Sequence, residues 1–325
     1  MSAIGGFLPL ETAHGPATAA YHVRAVPLAS GRACWHAVLR ACRPNRVRVP
    51  FYICDAVLQP LAALAIPFDF YALDAAFRPA ADGRTRPGQL TLVVNYFGVQ
   101  STFVDARAHD DERVVVDDTQ AFFRVGGHDR RSFNSARKFF GVPDGAFLYG
   151  VDLDVDALPP SETGDCDHLV TRRAGDDQRA WDLFKQHEAR IGIEIRAMSQ
   201  TSSRLLGTVD MAAVRRRRRA NFRVLHARLG PMNTLALPLD DVSSDAAEDV
   251  PLCYPFQPAV RLDRGALARA GIYVPTFWPE VVSRPGGGFD REREAAAHLL
   301  PLPIDHRYDL DDMDALADTL LQELT

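Results

Sequence analysis

Apolar and polar positions fall into alternating blocks over the first 150 residues. From Ser30, SGRACWHAVLRAC places Ala33, Ala37, Val38 and Ala41 on one side at helical spacing, with Ser30 as the capping residue. VRVP at 47–50, a helix over about 55–65 and FDFYAL follow, the strand, helix, strand rhythm of an α/β sheet. LTLVVNY (90–96) and RVVVDD (113–118) are β-branched runs without strict alternation, as expected of parallel strands buried on both faces. The second run breaks into Asp117 and Asp118, where the carboxyl ends of parallel strands form the usual ligand crevice. Two short β candidates, around 131–134 and 145–149, flank Lys138.

From about 151 the pattern turns polar and Asp-rich, with Pro159-Pro160, and reads as a surface excursion. A helix is expected over 177–191 and a long helical segment over 199–229, interrupted at Gly207. That segment carries Arg215 to Arg219. Consecutive residues point all around a helix, so the run predicts a solvated face rather than one focused groove. Beyond 231 the chain alternates again, with a helix over 263–270, a strand GIYVPTFW, the loop RPGGGF, a helix over 290–298, LLPLPI and a closing helix. The organisation is an α/β fold, with a large domain over 1–230 and a smaller C-terminal α+β domain over 231–325.

With 325 residues and 47% hydrophobic content the chain can bury a substantial core. The apolar stretch 56–68 is broken by Gln59, Pro60 and Pro67, so no membrane span is expected, and MSAIGGFLPLETAHG lacks the features of an export signal. Five cysteines without a C-x-x-C pair read as reduced and mostly buried, in a cytoplasmic protein. A formal charge of −5 argues against nucleic acid as a partner.

Composition singles out one residue. Lys138 and Lys185 are the two lysines among 37 basic residues. Guanidinium stays protonated, whereas a desolvated ammonium can lose its proton and attack a carbonyl to form a Schiff base. Lys138 stands among Ser132, Ser135 and Arg137, ahead of Phe139-Phe140, surroundings suited to an anionic aldehyde cofactor. The helix starting at Ser30-Gly31 offers a potential anion site, because its first N–H groups are unpaired and Gly31 permits close approach. Asp117, Gln120, Lys138 and this helix start together match what pyridoxal phosphate requires of a protein: a lysine, a carboxylate for the pyridine nitrogen, phosphate donors and a group beside the phenolic oxygen.

In order along the chain, several segments carry a likeness. Ser30-Gly31-Arg32-Ala33 is similar to a Ser-Gly-Thr-Ala phosphate turn, and VVVDDTQA to an Asp-x-x-Gln-Ala pattern that selects Asp117 over Asp118. Ser132-Phe133 followed by Lys138 resembles Ser-Phe-x-x-x-Lys with one extra residue, Arg196-Ala197-Met198-Ser199 an Arg-Met-Ser segment, and LLPLPIDHRYDLDDMDALADTL a Leu-Pro strand and last helix. Together they resemble the DegT/StrS family of pyridoxal-phosphate sugar aminotransferases, of the aspartate-aminotransferase fold (fold type I).

The resemblance implies a mostly parallel sheet flanked by helices and pyridoxal 5'-phosphate as cofactor. Lys138 would be the Schiff-base lysine and proton shuttle, Asp117 the partner of the pyridine nitrogen, and Gln120 the neighbour of the phenolate. Gly31 and Arg32 amides at the Ser30 cap would hold phosphate, with Ser132 or Ser135 adding hydroxyls and Tyr52 offered as the stacking ring. It also implies a homodimer acting on an amino donor and a keto or aldehyde acceptor. The chain departs from the family where Gly-Glu-Gly-Gly becomes VPDGA, where Arg32 replaces threonine, and where Glu194 stands in place of an asparagine that reaches the neighbouring subunit's phosphate. These departures motivate the alternative of a non-catalytic homologue serving as a binding or regulatory module.

Overall fold

The β-branched runs form one seven-stranded sheet. The computed structural model describes residues 3–12, 20–80, 85–127 and 129–324. After β1 (Ile4–Gly5) and β2 (Val26–Leu28), helix α1 (Gly31–Cys42) leads to β3 (Arg46–Pro50), α2 (Leu58–Ala63) and β4 (Phe68–Tyr71). Next come β5 (Gln89–Val94), α3 (Ser101–Asp110), β6 (Val114–Asp118), β7 (Ser132–Asn134) and β8 (Ala146–Tyr149). The sheet order is β2-β8-β7-β6-β5-β3-β4. Strands β4, β3, β5, β6 and β7 run parallel, while β8 and β2 close one edge antiparallel. The short β2 contains Pro27, which has no N–H to donate, a residue tolerated at a sheet edge.

Helix α1 forms where the apolar spacing places it. Ser30 caps it by accepting the Ala33 N–H at 3.1 Å, and Trp35 packs inward and donates to the Val57 carbonyl. Burying a side chain of this size stabilises the fold by roughly 2–3 kcal/mol.

The polar stretch after β8 is more structured than its composition suggests. It holds α4 (Asp167–Arg173), which packs against α5 (Asp177–Arg190). Seven residues give too few periods to stand out against the polar sequence around them. Helices α6 (Gln200–Gly207) and α7 (Met211–Leu229) then form the interrupted segment.

The arginine run on α7 differs from the expectation at one position. Arg216 and Arg217 are exposed, but Arg218 is 1% exposed and donates to the carbonyls of Phe139, Pro251 and Leu252. Its guanidinium lies 4.6 Å from the centroid of the Phe139 ring. Five donors allow this planar cation to satisfy several backbone carbonyls at once, which a run of identical residues cannot reveal.

The remaining elements are α8 (Leu239–Ser243), β9 (Cys253–Phe256), α9 (Arg264–Arg269), β10 (Ile272–Tyr273), α10 (Glu280–Ser283), α11 (Asp290–His298), β11 (Leu300–Pro303) and α12 (Leu310–Glu323). Strand β9 pairs antiparallel with β11, and β1 pairs with β10. Of GIYVPTFW only two residues are strand. Pro275 cannot donate, and the Arg264 guanidinium takes the Val274 and Pro275 carbonyls that a neighbouring strand would need. The side-chain amide of Asn221 on α7 donates to the carbonyls of Ile304, Asp305 and Tyr308, tying the last elements to the main body. All five cysteines are free; Cys34 and Cys253 are buried and the other three partly so. Among the described residues no helix is long and apolar enough to cross a membrane.

Candidate active site

Strand parity separates the two acids that end β6. Successive side chains on a strand face opposite sides. Asp117 faces α1, where its charge reaches the Cys34 thiol, and its carboxylate accepts the Thr119 N–H at 2.9 Å. Asp118 faces the other side, where Arg124 pairs with it and Asn95 donates to it at 3.1 Å. Asp117 is 4% exposed and forms no salt bridge among the described residues. Burial pushes its carboxyl above the usual range, against the opposing charge of Lys138 and the hydrogen bonds from Thr119.

Lys138 follows β7 on a single 3₁₀ turn over Ala136–Lys138, held by the Ala136 N–H donating to the Gly145 carbonyl. Its ammonium is exposed and donates to the Thr119 hydroxyl at 3.4 Å. The start of α1 meets the same place. A Cβ on Gly31 would lie 3.3 Å from the Thr119 methyl carbon and 3.9 Å from the Asn134 carbonyl oxygen, so glycine keeps the helix start open. Ser30, Gly31, Asp117 and Lys138 therefore converge around Thr119. Ser135, at the start of the lysine's turn, makes no side-chain capping bond.

Thr119 was not singled out from the sequence, although its place two residues after Asp117, where an aspartate accepts a backbone N–H, was a usable signal. Cys54 also joins the group. The charges of Lys138 and Asp117 both reach its thiol, which burial pushes up.

Other candidates lie elsewhere. Tyr52 is 1% exposed, packed against Phe77, Tyr96 and Trp278, with its carbonyl accepting the Tyr96 hydroxyl. The Gln120 side-chain oxygen accepts the Phe97 N–H at 2.6 Å. It thereby braces a tight turn in which Phe97 and Gly98 both have positive φ, at 59° and 73°. The Ser132 hydroxyl points toward Gly126 and Tyr149, whereas the next residue, Phe133, packs on Trp35 of α1. The Arg32 guanidinium turns along α1 to the Ile191 carbonyl.

The segment 191–196 of the same chain covers this helix start. His36 Nδ1 lies 2.7 Å from the Ile193 carbonyl oxygen, and the Ala29 N–H donates to the Arg196 carbonyl. Exposed Glu194 lines a small cleft there with Ser30, Thr163, Gly192 and Arg196. Behind Lys138, Arg137 pairs with Glu188 of α5. Although burial works against it, Arg137 together with Arg32 holds the Glu188 carboxyl below its usual range.

An exposed lysine beside a buried acid and an open helix start, at the carboxyl ends of parallel strands, sits in a fold that solved pyridoxal-phosphate-dependent aminotransferases share. No protein-family model and no curated protein sequence matches the chain. Solved structures do. The sugar aminotransferase CalS13 from Micromonospora echinospora superposes with a TM-score of 0.64 at 18% identity, over 96% of this chain and 92% of that one. Spr1654 from Streptococcus pneumoniae, in its PLP form, gives a TM-score of 0.66 at 12% identity over 97% of both chains. A DegT/DnrJ/EryC1/StrS aminotransferase from Brucella abortus gives 0.57 at 14% identity, over 91% of this chain and 85% of that one. At these identities the likeness is one of fold.

Proposed function

We propose that this chain is a pyridoxal-phosphate-dependent aminotransferase of the DegT/StrS type, with Lys138 as its reactive amine. The observation that carries the reading is the convergence of Lys138, Asp117 and the Ser30-Gly31 helix start around Thr119. Its fit to the cofactor rests on Asp117. A buried carboxylate raised by desolvation, with the Lys138 charge nearby but no salt bridge among the described residues, is suited to a cationic ring nitrogen, which would return it to the charged form.

Pyridoxal phosphate, when bound, supplies an aldehyde for the lysine and a ring that withdraws electrons from the substrate carbon. The Lys138 Nζ would accept a proton from the amino donor and redeliver it, with the Thr119 hydroxyl holding the amine in place between transfers. The Asp117 carboxylate would keep the ring nitrogen protonated. Backbone N–H groups of Gly31 and Arg32 at the start of α1, with the Ser135 hydroxyl, would hold the phosphate. A keto or aldehyde acceptor, in the sugar class that CalS13 takes, would then receive the amine. The reading includes a homodimer in the cytoplasm, and light scattering of the purified protein reports the mass of the assembly.

One observation favours a second reading, a homologue that keeps the fold as a binding module. Glu194 places a carboxylate on the cleft that Ser30 lines, where it would repel a phosphate dianion. Addition of pyridoxal phosphate to the purified protein separates the two. The catalytic reading expects one equivalent bound, a visible absorption band removed by borohydride, and the label on Lys138. A band that persists in Lys138→Ala, or no binding at all, would count against it.

A further inference from the structure

The polar excursion after β8 brings together three side chains that the site above does not use. Asp165 precedes α4, His168 lies in its first turn and His187 in the last turn of α5. Each offers one ligand atom within 4.8 Å of the other two. We propose that Asp165, His168 and His187 bind a single divalent transition cation of the zinc type.

The geometry of each donor supports this. His187 Nε2 lies 2.7 Å from the Pro143 carbonyl oxygen, which must accept its proton, so Nδ1 carries the lone pair, on the side of Asp165 where it accepts from Arg190. A backbone carbonyl behind a metal-binding imidazole is the usual arrangement for fixing its tautomer. His187 Nδ1 stands 3.8 Å from Asp165 Oδ1. Tetrahedral zinc, with bonds of about 2.0–2.2 Å, needs its ligand atoms about 3.3–3.6 Å apart, so atoms now within 4.8 Å of one another must close by about 1.5 Å at most. His168 is 2% exposed, and its Nδ1 is one of the buried side-chain polar atoms without a hydrogen-bond partner among the described residues, an uncompensated donor or acceptor that a ligand would satisfy. Its ring stacks on that of His187 at 4.2 Å.

The mouth of the cluster already attracts a cation. Arg190 Nη2 lies 2.7 Å from Asp165 Oδ2 and 3.3 Å from His187 Nδ1. That side chain is half-exposed, and a metal ion that displaced it toward solvent would replace one positive charge with another. Arg137 also bears on both histidines but is neutralised by Glu188. Two nitrogens and one carboxylate suit zinc or cobalt, whereas magnesium and calcium take oxygen ligands. Occupancy would clamp α4 and α5 to Pro143, five residues beyond Lys138, and so brace the loop that carries the lysine.

The test uses the full chain with metal ion alone, without pyridoxal phosphate, so its result is independent of the cofactor reading. Calorimetric titration with Zn²⁺ is expected to show one ion per chain, and Co²⁺ to develop the visible absorption of a four-coordinate nitrogen and oxygen site, while Mg²⁺ gives neither. Asp165→Asn, at a half-exposed position, should weaken Zn²⁺ by more than the roughly tenfold that loss of a supporting contact costs. His187→Gln should weaken it likewise, and Arg190→Ala should strengthen it. Circular dichroism of each variant verifies folding. Absence of stoichiometric Zn²⁺ binding by the wild type, or unchanged affinity in folded Asp165→Asn, overturns the proposal.

Discussion

Asp117 and Asp118 are neighbours in the chain and face opposite sides of the sheet, one toward Lys138 and α1, the other locked to Arg124. The pair divides the two jobs of a strand end. Asp118 holds structure, and Asp117 is the acid that the proposed function uses.

Substituting each acid by its amide therefore has opposite consequences. Asp118→Asn removes a carboxylate that is almost fully buried against Arg124 and should cost about 3 kcal/mol in urea denaturation, because the guanidinium loses its buried partner. Asp117→Asn keeps an acceptor for the Thr119 N–H and should change stability by less than about 1 kcal/mol. It should nevertheless abolish transamination. Equal destabilisation by the two would contradict the division of roles.

The arginine run offers a comparison at fixed chemistry. Arg218→Ala strands three backbone carbonyls and removes the cation from the Phe139 ring, so a loss of about 3 kcal/mol or more is expected. Arg216→Ala and Arg217→Ala should stay within about 0.5 kcal/mol, since both are exposed. Thermal denaturation of the three single variants checks this ordering.

Acid sensitivity should trace in part to His22. This residue is 3% exposed, lies 2.6 Å from the Tyr149 hydroxyl, and burial lowers its imidazole to about 3. A depressed folded value means that the unfolded chain takes up the proton first. Stability is then complete above the unfolded value near 6.5 and falls as pH drops toward 3, by up to about 1.4 kcal/mol per pH unit. Urea midpoints between pH 7 and 5 should fall less steeply in His22→Gln than in the wild type; parallel slopes would assign the effect to other groups.

Gly31 tests the open helix start. As the first residue of α1 its backbone accepts alanine without strain, with a propensity gain smaller than the roughly 1 kcal/mol of a helix interior, but the added Cβ would press on Thr119. Gly31→Ala should leave the melting temperature within a few degrees of wild type while weakening pyridoxal phosphate at least severalfold in absorbance titrations. A variant that binds the cofactor normally would place the phosphate elsewhere.

Much of this molecule was legible in its sequence because the informative patterns are local. Apolar periodicity marks α1, α7 and α12, and β-branched runs mark β5 and β6, since each element's pattern repeats within a few residues. The short α4 and β2, and the failure of the strand beyond Tyr273, were not legible. They depend on edge positions and on Arg264 reaching across to two carbonyls.

The sequence by itself determined the order and kind of the main elements, and it set Lys138 apart, because one of two lysines in an arginine-rich chain, placed after Ser132 and Ser135, is a chemical distinction that needs no coordinates. Only the tertiary structure decided that Thr119 and Gly31 stand beside that lysine, that Arg218 alone of its run turns inward, and that Asp165, His168 and His187 meet. These contacts join residues far apart along the chain. They arise from strand order and helix packing, which are properties of the whole core rather than of any one segment.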